Sequence, residues 1–172
     1  MNKFALFTDV SLNPKLRLGF GAYVIVSELR LGIDQNDFIE SEVKLKKFQS
    51  TSSTKLEIET LLWALEDIGK NYKEFDLCDN LTVYTDSRNI VGLQDRRERL
   101  ERFGFKSMGK NKELRNAALY RRFYSLRDAY KFELIKLKGH SRVFTKDTLH
   151  KMFSLVDKES RKALKTYLKE NN

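Results

Sequence analysis

LTVYTDSRNI, residues 81–90, reads as a strand of apolar and β-branched residues that stops on a carboxylate, Asp86, followed at once by a small hydroxyl residue and a basic one. A charged group at the lip of a strand otherwise suited to burial is costly to desolvate. It is therefore paired, bonded to a helix start, or holding a metal. Which of the three applies depends on what the rest of the chain brings to the same place.

Upstream, KFALFTDV (3–10) reads as a buried strand that ends near Asp9, and GFGAYVIVSE (19–28) as a second, with Asn13-Pro14 marking a turn between them. A third strand is expected over 37–48, where Ile39, Ser41, Val43 and Leu45 alternate with Glu40, Glu42, Lys44 and Lys46. The hydroxyl-rich run from Ser50 can cap a helix whose apolar positions continue through Ile68, with Gly69 as its expected stop. Downstream of residues 81–86, a helix is expected from about Ser87, another over 111–130, a fifth strand over 131–140, and a closing helix that begins near Asp157. This order predicts an α/β domain with a mixed five-stranded sheet flanked by helices, spanning 1–172 with no linker or repeat.

Composition narrows the class of partner. The 172 residues carry 33 Lys and Arg against 24 Asp and Glu, a formal charge of +9, which favours a polyanion over an acidic membrane or a small substrate. The apolar run at the N-terminus is short and broken by Asp9, so neither a signal peptide nor a membrane span is expected, and a cytoplasmic protein follows. A single cysteine, Cys78, excludes an internal disulfide and a multi-cysteine zinc site. It reads as an inert loop thiol.

The acids then separate by position. Asp9 and Asp86 end two apolar strands; were those strands parallel neighbours, both carboxylates would emerge at the same end of the sheet, where open sheets place their sites. In the intervening helix Glu57 continues the stripe of Leu61, Leu65 and Ile68, whereas Glu59 lies roughly 200° around the helix. Glu57 is thus the third candidate, although a Glu in a first turn is also favoured by the helix dipole alone. Asp157 at a helix start reads most simply as an N-cap. Taken together, four carboxylates at one sheet end would repel one another unless cations were present, and an all-oxygen set suits Mg²⁺ or Mn²⁺. Two such ions can activate a water and stabilise the leaving oxygen of a phosphodiester.

The ordered set FTD, STKLEIETLLWALE, VYTDS, KGH and VDKES resembles the type 1 ribonuclease H family, both its cellular enzymes and the ribonuclease H domains of reverse transcriptases, over nearly the whole chain. The resemblance implies parallel placement of the first and fourth strands. It also implies Asp9, Glu57, Asp86 and Asp157 as ligands of two Mg²⁺ ions, with Mn²⁺ possible, and His140 as a mobile loop histidine that assists turnover. The implied activity is metal-dependent hydrolysis of the RNA strand of RNA–DNA hybrids by a monomer with no protein partner. Ser11 and Asn13 after the first acid, and Ser53 and Thr54 before Glu57, fall where the family touches its substrate. The sequence departs from the family in having few glycines after Asp9, hydroxyl residues where cellular members tend to carry asparagine, and 17 positions between His140 and Asp157.

Residues 94–115 hold eight basic side chains, among them Arg96, Arg97, Lys110 and Arg115, against four acidic ones. Opposite charges at i,i+3 and i,i+4 in RRERLER fit a solvated, salt-bridged helix. The resemblance places a basic protrusion here that grips the DNA strand, Asn111 included. Two alternatives stand beside the hybrid-cutting reading: a nuclease of the same fold acting on DNA, and a nucleic-acid-binding protein that kept the fold without the chemistry. The presence of all four acids argues against the second.

Overall fold

In a computed structural model of the chain, described over residues 3–29, 42–71, 80–137 and 146–171, five strands and four helices follow one another. They are β1 (Phe4–Asn13), β2 (Leu18–Ser27), β3 (Lys44–Gln49), α1 (Ser53–Asn71), β4 (Leu81–Thr85), α2 (Arg88–Arg102), α3 (Ala117–Tyr130), β5 (Glu133–Lys136) and α4 (Lys146–Glu170). The sheet order is β3-β2-β1-β4-β5. β1 pairs antiparallel with β2 and parallel with β4, β2 pairs antiparallel with β3, and β4 pairs parallel with β5. This is the mixed five-stranded sheet that the sequence predicts.

β1 is covered on both faces, and the period-2 geometry of a strand sorts its residues between two cores. Phe4 and Leu6 pack with Leu81, Val83 and the apolar sides of α1, α2 and α3. Ala5 and Phe7 pack with Ala22, Val24, Tyr84 and the Leu149, Met152 and Val156 stripe of α4. Phe7 and Tyr84 stack across the parallel pair, ring centroids 5.0 Å apart. A strand buried on both sides reads as an unbroken apolar run, which is why FALF carries no alternation.

Several elements differ from the sequence reading. β1 does not end at Asp9: pairing with β4 stops at Phe7, but the β1–β2 ladder runs on to Asn13 opposite Leu18, so Asp9 sits within a strand at the point where one neighbour has ended. α1 passes through Gly69 to Asn71, and the bare backbone of Gly69 faces the Tyr130 hydroxyl, which a Cβ would approach to 2.1 Å. The expected helix over 111–130 begins only at Ala117, because residues 105–114 instead form a short antiparallel turn closed by Ser107 N–H to Lys112 O (2.8 Å) and Leu114 N–H to Phe105 O (2.9 Å). β5 covers Glu133–Lys136 of the expected 131–140. Of the expected strand over 37–48, Ile39 and Ser41 lie outside the described residues, as does Cys78.

The largest difference is α4. It begins at Lys146, so Asp157 lies eleven residues inside a 25-residue helix and is not its N-cap. The physical reason is in the sequence: Leu149, Met152, Phe153 and Val156 recur at helical spacing and seal the second core, so the HKMFSLV stretch continues the helix backward from Asp157.

α1 approaches the sheet closely because β2 offers it glycines. A Cβ on Gly21 would meet Thr60 Oγ1 at 2.1 Å, and one on Gly19 would meet Leu56 Cδ2 at 2.4 Å and the Ser11 carbonyl at 2.7 Å. Gly21 pairs with Val10, so this contact fixes α1 beside the segment of β1 that carries Asp9. Gly21→Ala should therefore destabilise the protein by roughly 1–3 kcal/mol through overpacking. Thr60→Ala in the same chain should restore part of that loss, since Thr60 Oγ1 has no hydrogen-bond partner among the described residues. Urea unfolding midpoints of the two single variants and the double variant measure both effects.

Candidate active site

Strand parity aims the acids. Asp9 follows Ala5 and Phe7 on the face covered by α4, and Asp86 follows Thr82 and Tyr84 on that face one residue past the end of β4. Because β1 and β4 are parallel, with Phe7 opposite Tyr84, both carboxylates emerge at the same end of the sheet. Asp9, Glu57 and Asp86 line one narrow cleft with Thr8, Thr85 and Ser87, and its free volume of about 10 Å³ is that of a single water. Asp157 reaches the same group from α4 by sharing a hydrogen bond with Asp9.

The electrostatics record the crowding. Burial, the largest effect, pushes the Asp9 carboxyl up to about 7; Asp86 and Asp157 push the same way, as does the shared hydrogen bond with Asp157, while a bond from Val10 N–H (2.8 Å) opposes them. Asp86 is exposed at the mouth of the cleft, yet desolvation of its carboxyl raises it, followed by the charges of Glu57 and Asp157, with Lys136 pulling the other way. Arg161 holds the outer side of Asp157 at 2.7 Å.

Glu57 is held by residues from a different helix. Its Oε2 accepts from the Ser87 hydroxyl at 2.5 Å and from Asn89 Nδ2 at 3.3 Å, and its Oε1 lies 3.5 Å from the Ser53 hydroxyl. Ser87 has a second task. Its Oγ accepts from Ile90 N–H (3.2 Å) as the N-cap of α2, so one hydroxyl both starts that helix and fixes the acid. Asn89 also donates to Thr54 Oγ1 (3.2 Å), which joins the N-termini of α1 and α2. Glu59 points elsewhere, accepting from Thr51 Oγ1 (2.9 Å) and pairing with Lys55.

Other candidate residues fall in three places. Ser11 lies in β1 beyond Asp9, and Asn13 accepts from Leu16 N–H (3.1 Å) to shape the β1–β2 turn. Arg96 is drawn back along α2, donating to the carbonyls of Gly92 (3.0 Å) and Asn89 (3.1 Å) beside the Tyr120 ring, and Arg97 makes a two-pronged pair with Asp128 of α3 (2.5 and 2.7 Å) as well as a bond to Glu101. Lys110, Asn111 and Arg115 are exposed on and beside the 105–114 turn, where Gly109 and Asn111 adopt positive φ. His140 lies outside the described residues.

Ser87 and Asn89 are site residues that the sequence reading did not single out. Ser87 carried a signal, since a Ser directly before a helix is a cap; Asn89 carried none, because its role depends on two helix N-termini meeting in space.

All-oxygen donors crowded by like charge suit a divalent cation, and the upward shifts of Asp9 and Asp86 have the sign that a cation would reverse. Among the described residues, however, no three acidic, thiol or imidazole side chains are already drawn into a closed metal-binding group. The acids converge on the cleft without forming a cage. Among the same residues no helix is long and apolar enough to cross a membrane.

The RNase H family model matches residues 1–163, and the chain belongs to that family. Two solved structures of the foamy viral protease-reverse transcriptase share the fold at 10% sequence identity. The one in complex with dsDNA has a TM-score of 0.59 and covers 92% of this chain and 93% of that one. The one in complex with an RNA/DNA hybrid has a TM-score of 0.60 and covers 94% of this chain, which spans 19% of that longer one. No curated protein sequence matches the chain.

Ser87→Ala removes a cap and a hydrogen bond to Glu57 in one change. It should cost about 1–2 kcal/mol of stability. Asn89→Ala, at an exposed residue, should cost well under half of that. Chemical denaturation of the two variants side by side measures the difference.

Proposed function

We propose that the protein is a metal-dependent ribonuclease H that hydrolyses the RNA strand of RNA–DNA hybrids. The observation that carries this reading is the convergence of Asp9, Glu57, Asp86 and Asp157, from four separate elements, on one end of the β1–β4 pair. Asp9, Glu57, Asp86 and Asp157 would hold two Mg²⁺ ions, or Mn²⁺. When bound, such ions supply an activated water and stabilise the leaving 3′-oxygen of the phosphodiester.

The chain's own residues then have distinct tasks. Ser87 and Asn89 keep the Glu57 carboxylate turned into the cleft. Arg161 neutralises the outer side of Asp157, leaving the oxygen toward Asp9 for the site. His140 assists turnover by moving a proton or easing product release. Ser11, Asn13, Ser53 and Thr54 border the cleft with short polar groups suited to 2′-hydroxyls. Exposed Lys110, Asn111 and Arg115, with Arg96, form the surface for the DNA phosphates, a basic protrusion over about 94–115 of a single domain spanning 1–172. Arg97 contributes through the α2–α3 pairing with Asp128, which positions that surface.

Asp86→Asn replaces a charged oxygen by a neutral amide at the mouth of the cleft. Single-turnover cleavage of a hybrid in Mg²⁺ should fall by roughly 100-fold or more while hybrid binding and the unfolding midpoint stay near wild type. Near wild-type cleavage would remove the four-carboxylate site.

Substrate choice is tested with matched hybrid, DNA and RNA duplexes, and with duplexes carrying one to six ribonucleotides in one strand. Cleavage should need metal, occur in the hybrid, and rise in initial rate as consecutive ribonucleotides accumulate around the cut. Equal cutting of all-DNA duplexes would make the protein a DNA nuclease. Binding without any cleavage would make it an inactive member of the family.

A further inference from the structure

Far along α4 from the acids, a groove of about 320 Å³ opens between the second half of that helix and strands β2 and β3. Phe20 of β2, Leu45 of β3 and Tyr167 of α4 form its apolar walls. Glu159 lies in its floor, Lys162 and Glu170 on its rim. Its volume falls in the range of ligand sites, and its walls are mainly apolar with a few polar groups, as such sites require.

Glu159 is the anomaly. The residue is only 7% exposed, and its Oε1 has no hydrogen-bond partner among the described residues. A buried acceptor left without a donor is costly, and native interiors almost always satisfy it. Neither fold nor proposed catalysis uses it. Val156 and Leu164 already anchor α4 on the sheet, and Asp157 is the acid that meets Asp9.

We propose that this groove binds an arginine side chain of a partner polypeptide, its guanidinium bonded to Glu159 and its plane laid against Tyr167. Charge and shape both select that chemistry. The charged residues lining the groove are two carboxylates and one ammonium, on a chain that carries +9 overall, so the groove repels phosphates and attracts cations. The Tyr167 ring already accepts a cation on its face, with Lys47 Nζ 4.6 Å from its centroid. Phe20 stands beside it at 5.9 Å, the two rings tilted by 57°. A planar guanidinium combines stacking on an aromatic face with several N–H donors, whereas an ammonium is a point charge that offers only the latter. The open rim of mixed sign, Lys162 and Glu170, suits the polypeptide on either side of the arginine. A second copy of this chain is disfavoured by its own +9 charge.

The test titrates isotope-labelled protein with the blocked peptide acetyl-Gly-Arg-Gly-amide, and in parallel with its lysine and citrulline counterparts, following backbone amide shifts. The arginine peptide should give saturable shifts centred on Ala163, Thr166 and Tyr167. Lysine should bind more weakly. Citrulline, which keeps the shape without the charge, should give no saturable response. Glu159→Gln should weaken the arginine peptide by about tenfold, as loss of one charged hydrogen bond does, and leave hybrid binding unchanged. Tyr167→Leu should weaken arginine more than lysine, and decides the matter if Glu159→Gln unfolds the protein. Equal binding of citrulline, shifts centred on another face, or arginine affinity unaltered in both variants would overturn the proposal. So would concentration-dependent dimerisation that accounts for the groove shifts, which would assign the groove to a second copy.

Discussion

β1 has no free side. Its faces are covered by α1 and α4, and its edges are paired with β2 and β4. Every other element is placed relative to it. The parallel pairing with β4 brings Asp86 level with Asp9. The antiparallel pairing with β2 sets Gly21 opposite Val10, and the bare backbone at Gly21 admits Thr60 and hence α1 with Glu57. The second core beneath Ala5 and Phe7 fixes α4 and with it Asp157. Changes that loosen β1 therefore act on the fold and on the acidic cleft together.

The site is under internal tension. Carboxylates are gathered where burial and mutual repulsion both disfavour charge, and Asp9 and Asp86 carry the mark of it as raised carboxyls. The compensation among the chain's own groups is partial: Arg161 for Asp157, Lys136 for Asp86, and hydrogen bonds from Ser87 and Asn89 for Glu57. Such an arrangement stabilises the protein poorly. It is what a chain retains when the cleft has an external cation to hold, which is the sense of the function proposed above.

Much of this was legible in the sequence because it follows from periodicity. The apolar runs of β1 and β4, the helical stripe through Leu61, Leu65 and Ile68, and the hydroxyl residue before α2 each signal their element locally. Boundaries were less legible wherever tertiary pairing overrides local signals. β1 outruns Asp9 because β2 continues to pair with it, Gly69 fails to stop α1 because Tyr130 packs over it, and α4 starts at Lys146 because its first turns seal a core that only the folded chain defines. The same holds within the cleft. Asn89 meets Glu57 only because two helices begin side by side, and no spacing in the chain announces it.

The position of Asp157 in the middle of α4 governs how the cleft can adapt. A carboxylate at a frayed helix end could swing by local rearrangement of one turn. One that follows eleven helical residues cannot, since its backbone is tied into the ladder on both sides and the neighbouring Val156 is fully buried. The distance between Asp157 and Asp9 is thus adjusted chiefly by moving α4 as a rod over the Ala5, Phe7 and Val24 surface. Cations of different radius would then be distinguished through the stiffness of that helix-on-sheet contact, so a methyl group removed from Val156, remote from any ion, would change the preference between a small and a larger divalent cation.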